Sequence, residues 1–201
     1  SVERVINIKT LNLTGVEIID DYKRDYNKGK PFAQILGYLG VGEKNNQLAG
    51  VAGLESYYDS FLRGQGGERI ILRDARGKDI DEKVFKEAKT GNKIISTVDG
   101  DFQEYFYNRL QLGLEKLGRV SGAGLAMNPQ TGEILAMVSL PSFDNNQPAD
   151  YLNLKNQPLF NRTISGVYNP GSTIKPLVAL AALREKVVTP EWQTYSSGYL
   201  E

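Results

Sequence analysis

The 201-residue chain contains no cysteine and no histidine. Without cysteine there is no disulfide framework, no thiolate nucleophile and no cysteine-ligated metal. A cysteine-free chain is compatible with an oxidising compartment and does not require one. Without histidine there is no Ser-His-Asp triad, no Cys-His pair and none of the usual zinc sites. If the chain carries out acyl transfer, a group other than imidazole has to take the proton. No run of about 18 apolar residues occurs, so no segment reads as a membrane span. Ser1-Val2-Glu3-Arg4 lacks the marks of a signal peptide, and any anchor is expected to lie outside this chain. Charge of one sign is also lacking: 24 basic and 24 acidic residues cancel, with no long like-charge block. Nothing in that balance points to a nucleic-acid footprint or a polybasic membrane surface.

What is present is ordinary for a water-soluble globular protein, with 40% hydrophobic and 24% charged residues. The length suffices for one large domain or two small ones. Residues 1–92 are broken by glycines and turn dipeptides. Weak alternation over Thr10–Asp20 (Leu11, Leu13, Val16, Ile18) predicts extended structure. Asn27-Lys28-Gly29-Lys30-Pro31 is a turn signal, followed by a short apolar segment from Phe32 to Leu39. Gly53–Leu62 predicts a helix with Leu54, Tyr57, Tyr58 and Phe61 on one face, stopped by Gly64. Arg69–Arg73 reads as a strand and Ala75–Lys78 as a turn. Asp79, Asp81 and Glu82 read as a solvated turn rather than a metal site. Gly37, Gly40 and Gly42 make no phosphate loop, because no Gly-Lys-Ser/Thr follows.

From about residue 93 the pattern is cleaner. Ile94–Val98 is strand-like, and Asp99-Gly100-Asp101 can cap a helix. Phe102, Phe106, Leu110, Leu114 and Leu117 form one stripe at helical spacing, read as core packing. Ala123–Met127 and Glu133–Ser139 predict an antiparallel hairpin around the turn Asn128–Gly132. A polar stretch and a mostly irregular region run to Val167. A last apolar helix is expected from near Ser172 to about Glu185. Strand, helix, hairpin and buried helix in that order make an α+β domain.

The chemically informative segment is Tyr168-Asn169-Pro170-Gly171-Ser172-Thr173-Ile174-Lys175-Pro176, which runs into Leu177-Val178-Ala179-Leu180. Residues three apart on a helix share a face, so Lys175 can reach the hydroxyl of Ser172. A serine hydroxyl needs an adjacent base, and a lysine serves only when neutral. Lowering a lysine from about 10.4 to about 7–8 takes burial and neighbouring cations. A helix N-terminus would favour negative charge developing at Ser172. Pro176 opposes a regular helix here, since it cannot donate to the Ser172 carbonyl and disfavours the α region at Lys175. A distorted first turn, or no helix before Pro176, is therefore expected. On spacing alone, a loop-to-helix junction without chemistry remains an open reading.

The whole run resembles the active-site segment of penicillin-binding proteins, where Ser-x-x-Lys sits between Pro-Gly and Pro. Gly122-Ala123-Gly124-Leu125-Ala126-Met127-Asn128-Pro129-Gln130-Thr131-Gly132-Glu133-Ile134-Leu135-Ala136-Met137-Val138-Ser139 resembles that family's first transpeptidase hairpin. Pro141-Ser142-Phe143-Asp144-Asn145-Asn146 resembles the segment after it. Gly53–Asp59 and Leu62-Arg63-Gly64 resemble the pedestal-to-catalytic linker of the class B, monofunctional branch, and Phe32–Gly40 resembles a pedestal segment of that branch. The resemblance covers most of residues 24–185 in family order.

The resemblance implies an extended pedestal and linker over residues 1–92. It implies the first part of a serine D,D-transpeptidase, β-lactamase-like domain over 93–201. By resemblance Ser172 is the acyl-forming nucleophile and Lys175 its general base, with no cofactor and no metal. The implied substrates are peptidoglycan stem peptides, and β-lactams would acylate the same serine. The implied place is the outer face of a bacterial cytoplasmic membrane. There the pedestal would contact other membrane-anchored wall-synthesis proteins, and deleting residues 1–60 should impair wall synthesis in cells while leaving penicillin acylation intact. Tyr57-Tyr58-Asp59 leans towards an elongation rather than a division role. The family's later Ser-x-Asn and Lys-Thr/Ser-Gly motifs do not occur after Lys175. The chain alone is therefore expected to be inactive and poorly folded beyond about residue 145, or completed by another polypeptide. Two alternatives stay open: a serine β-lactamase or β-lactam sensor on the same fold, and a non-catalytic scaffold module.

Overall fold

The computed structural model describes residues 2–11, 13, 23–42, 48–77, 79–195 and 198. They fall into two compact units, residues 1–165 and 166–201. Helices and antiparallel strand pairs alternate along the chain, in keeping with the α+β reading.

The first unit opens with α1 (Val2–Thr10), a helix that the turn-rich reading of this region did not anticipate. The extended segment expected over residues 10–20 lies almost wholly outside the described residues. A 3-10 turn at Lys30–Phe32, with Pro31 near its start, leads into α2 (Ala33–Leu36). The fixed φ and missing N–H of proline suit a helix start. A small hairpin of β1 (Leu39–Val41) and β2 (Leu48–Gly50) follows.

The helix expected over Gly53–Leu62 is two short helices, α3 (Gly53–Tyr57) and α4 (Asp59–Leu62). They part at Tyr58, whose φ of −108° and ψ of 23° leave the helical region. The buried side is not the apolar face expected from spacing: Tyr57 is 81% exposed, whereas Glu55 is only 7% exposed. Gly37 and Gly53 make this packing possible. Both have positive φ, and a Cβ on Gly37 would lie 1.7 Å from the Ala52 carbonyl oxygen. Only glycine lets these two backbones cross.

Beyond Gly64, β3 (Glu68–Arg73) and β4 (Asp79–Lys86) form an antiparallel hairpin. Asp79, Asp81 and Glu82 belong to β4, not to a turn, and ladder pairing to β3 accounts for the difference. The strand expected at Ile94–Val98 is not formed. Thr97 donates its hydroxyl to the Ile134 carbonyl at 2.8 Å, and the Asp99 N–H bonds the Leu135 carbonyl at 2.9 Å. Those contacts fix the segment's end without building a ladder along it.

The long helix α5 (Gly100–Lys116) is capped as expected by the Asp99 carboxylate, which accepts the Phe102 N–H at 2.9 Å. Its buried line is shifted by one residue from the expected stripe at the N-terminal end. Gln103 and Tyr107 are buried, while Phe106, Leu110 and Leu114 pack beside them against Val138 and Leu140. The hairpin of β5 (Gly122–Met127) and β6 (Ile134–Leu140) pairs as predicted, with Gly122 opposite Leu140. The core of the unit sits between α5 and this hairpin. Residues 142–165 are better organised than their polar composition suggested. Phe143, Asn145 and Pro158 are buried, and α6 (Arg162–Ser165) closes the unit.

In the second unit a 3-10 turn at Gly171–Ile174 leads directly into α7 (Lys175–Arg184).

Candidate active site

The Ser172 segment shows how the local sequence resolves the conflict set by Pro176. Gly171 has a φ of 54°, a left-handed conformation that glycine adopts without strain. Ser172 then lies in a 3-10 turn, and the Lys175 N–H donates to the Ser172 carbonyl. Pro176 occupies the first turn of α7, where its missing N–H costs no helical hydrogen bond. The distorted first turn expected from the sequence is present. Lys175 nevertheless takes helical angles, φ −58° and ψ −41°, against the usual pre-proline bias. Thr173 braces the turn, its N–H reaching the Pro170 carbonyl at 3.3 Å.

Ser172 and Lys175 therefore belong to one continuous turn-to-helix element, three residues apart. The burial expected around them is absent from this chain. Both residues are exposed, and so are Leu177, Val178, Leu180 and Leu183 of α7.

The first unit holds a second feature that the sequence reading missed: buried polar side chains joining segments far apart in sequence. Arg24 grips the Glu55 carboxylate with two nitrogens, at 2.8 and 3.1 Å. The Tyr26 hydroxyl donates to the same carboxylate at 3.2 Å. Burial and then the Glu55 charge push the Tyr26 hydroxyl well above the ordinary tyrosine range. Asn146 exchanges two hydrogen bonds with the Tyr26 backbone, at 3.1 and 3.3 Å. The Asn145 amide donates to the carbonyls of Ala33 and Gly37, satisfying the end of α2. Gln34 donates to the Pro158 carbonyl. Gln103 accepts the Met137 N–H at 2.8 Å and donates to the Met137 and Pro31 carbonyls at 2.8 and 2.6 Å.

Asp59 organises the neighbouring turn. Burial alone would raise its carboxyl, but the Gly50 N–H and the Arg63 guanidinium outweigh that and hold it below the usual range. The signal for these residues in the sequence was faint. A glutamine or asparagine flanked by aromatics reads as surface until its carbonyl partners are known.

Among the described residues no helix is long and apolar enough to cross a membrane.

Comparison with known proteins places the chain. The penicillin-binding protein dimerisation domain matches residues 2–96, and the penicillin-binding protein transpeptidase domain matches residues 122–200. The peptidoglycan D,D-transpeptidase FtsI of Buchnera aphidicola is 32% identical over 185 residues, covering 92% of this chain and 31% of that protein. The peptidoglycan D,D-transpeptidase MrdA of Haemophilus influenzae is 33% identical over 209 residues, covering 92% and 31%. A chain from a peptidoglycan synthase complex, solved to explain the coordination of polymerization and crosslinking, superposes with a TM-score of 0.74. It is 29% identical, over 96% of this chain and 38% of its own length. The chain thus spans about a third of the length of the curated relatives it matches. FtsI-type and MrdA-type relatives match about equally well, so identity gives the elongation lean of Tyr57-Tyr58-Asp59 no support. With one family domain over the pedestal segments and the other over the Ser172 segment, the chain belongs to the class B penicillin-binding proteins.

Proposed function

We propose that the full-length protein is a peptidoglycan D,D-transpeptidase acting through Ser172, with Lys175 as its general base. The observation that carries this reading is the continuous turn-to-helix element from Gly171 to Arg184, which lies within the matched transpeptidase domain. In the first step Ser172 Oγ attacks the carbonyl of the penultimate D-alanine of a stem peptide. Neutral Lys175 takes the hydroxyl proton, the peptide C–N bond breaks, and the proton passes to the departing D-alanine amine. In the second step an amine of a neighbouring stem attacks the ester and loses a proton, and Ser172 regains its own. β-Lactams would form a slow-hydrolysing ester at the same oxygen. Burial of α7 by the rest of the domain would supply the environment that a neutral lysine needs.

Residues 1–92 would serve as the pedestal and 93–201 as part of the catalytic domain, at the outer face of the cytoplasmic membrane. The pedestal would meet other membrane-anchored wall-synthesis proteins there. The matched dimerisation domain over 2–96 supports a penicillin-binding protein over a β-lactamase or sensor. A full-length preparation should be labelled covalently by a fluorescent penicillin, and Ser172→Ala should abolish the label. Labelling that persists in that variant would remove Ser172 from the mechanism.

A further inference from the structure

We propose that Thr173 is a positioning residue for the Ser172 nucleophile: its hydroxyl, bonded to the Pro170 carbonyl, holds the turn that presents Ser172 Oγ. The inference rests on the catalytic role proposed for Ser172.

The turn ahead of Ser172 has more freedom than a nucleophile can use. The ring of Pro170 fixes its φ, here −66°, but leaves its ψ soft. Gly171 has no Cβ, so both of its torsions are soft. Its φ of 54° is not forced by crowding, since a Cβ on Gly171 would meet no atom within 4 Å. Side-chain packing adds little restraint, because residues 167–180 are all exposed.

Thr173 removes that freedom. Its N–H and its hydroxyl both donate to the Pro170 carbonyl, at 3.3 and 2.5 Å. The first distance lies just beyond the usual N–H···O range, and the second sits at the short end of the O–H···O range. The side chain therefore has the firmer hold. Among the described residues no other side-chain hydrogen bond reaches this turn. Beyond Ser172, the Lys175 N–H donates to the Ser172 carbonyl. The nucleophile thus sits between two bonded carbonyls, that of Pro170 and its own, and together they set the direction of its Cα–Cβ bond. An attacking atom held in its reacting geometry gains rate, and a small displacement loses it. The Thr173 hydroxyl proton is committed to Pro170, which leaves proton transfer to Lys175.

The test is acylation of the full-length protein by a fluorescent penicillin, resolved into the rate at saturation and the concentration giving half that rate. Thr173→Val keeps the branched shape and the N–H and removes only the hydroxyl bond. It should lower the saturating rate about 2- to 10-fold, the range to which loss of one hydrogen bond converts. The half-saturating concentration, the melting temperature and the shape of the pH–rate profile should match the parent, because neither the binding groups nor the proton acceptor has changed. Thr173→Ser returns the hydroxyl without the methyl group and should bring the rate back. An unchanged saturating rate in Thr173→Val, with label still abolished by Ser172→Ala, overturns this proposal alone. Label that persists in Ser172→Ala overturns the catalytic role of Ser172, and the positioning role with it. A displaced pH profile in Thr173→Val would make the hydroxyl part of proton transfer rather than of geometry. Equal slowing in Thr173→Val and Thr173→Ser would trace the effect to something other than the hydroxyl. Either result overturns the positioning role.

Discussion

Glu55 is a buried carboxylate whose charge is met from two sides, by Arg24 and by the Tyr26 hydroxyl. Removing a single partner of such a group leaves part of a buried charge unmet. Tyr26→Phe should destabilise the chain by about 1–3 kcal/mol at neutral pH, read from urea melts. The pH dependence has a definite sign. Tyr26 in the folded chain holds its proton more tightly than the ordinary tyrosine value of 10.0. Its contribution is complete below that value. It falls as pH rises further, because the unfolded chain ionises first, with a slope of at most about 1.4 kcal/mol per pH unit. The parent should therefore lose stability faster than Tyr26→Phe as pH rises above about 10. Equal slopes would place the Tyr26 proton outside the folding balance. None of this was legible from the residues alone: Glu55 stands among tyrosines in a stretch whose apolar spacing pointed to the other face.

At the scale of elements, hydrophobic period and turn chemistry were read well wherever the structure is made by neighbours in sequence. The β5–β6 hairpin, the Asp99 cap, α5 and the helix after Ser172 all follow local signals. The failures occur where a distant partner decides. Ile94–Val98 has strand residues but no ladder, and β4 was hidden because its acidic residues resemble a turn until β3 pairs with it. Gln103 is the sharpest case. A polar residue adjoining the predicted stripe became the centre of the buried line, because the backbone of Met137 and Pro31 needed its amide. Gln103→Leu keeps much of the volume and removes all three hydrogen bonds, orphaning a buried N–H and two carbonyls. A loss of about 2–4 kcal/mol is expected, from about 1–3 kcal/mol for each orphaned group less some relaxation. Thermal melting of the variant measures it. A change below about 0.5 kcal/mol would mean that water replaces the amide.

For the whole molecule, the two units differ in what completes them. Order in the first unit continues to Ser165, beyond the point near residue 145 where the sequence led us to expect it to fail. Tyr26, Ala33 and Gln34 are bonded to Asn146, Asn145 and Pro158, and Tyr26 in turn to Glu55, which is why the extension holds. The expectation that removing residues 1–60 leaves penicillin acylation intact is therefore revised. Deleting them takes away Phe32, Ala33 and Ile35 from the core, the Ala33 and Gly37 carbonyls bonded by Asn145, the Tyr26 backbone bonded by Asn146, and the Pro31 carbonyl bonded by Gln103. The truncated protein should lose cooperative unfolding in the calorimeter, and with it penicillin labelling of the full-length form. Retained labelling would show that the catalytic part folds without the pedestal. The turn-to-helix element around Ser172 was legible because Pro-Gly-Ser-x-x-Lys-Pro is a local turn signal. Its surroundings were not, because α7 shows its apolar side chains to solvent throughout this chain.

The bond from Gln34 to the Pro158 carbonyl spans 124 residues of sequence. On a ribosome adding about 5–20 residues per second, that carbonyl appears roughly 6–25 seconds after Gln34. Helix–coil steps take about a microsecond and small hairpins about 1–10 microseconds, so α2 can form and dissolve many times before its partner exists. The N-terminal part of this protein cannot finish first, as early segments of a nascent chain commonly do. It must wait, with one side of α2 uncovered, for the β6 strand and the loop that follows to be made.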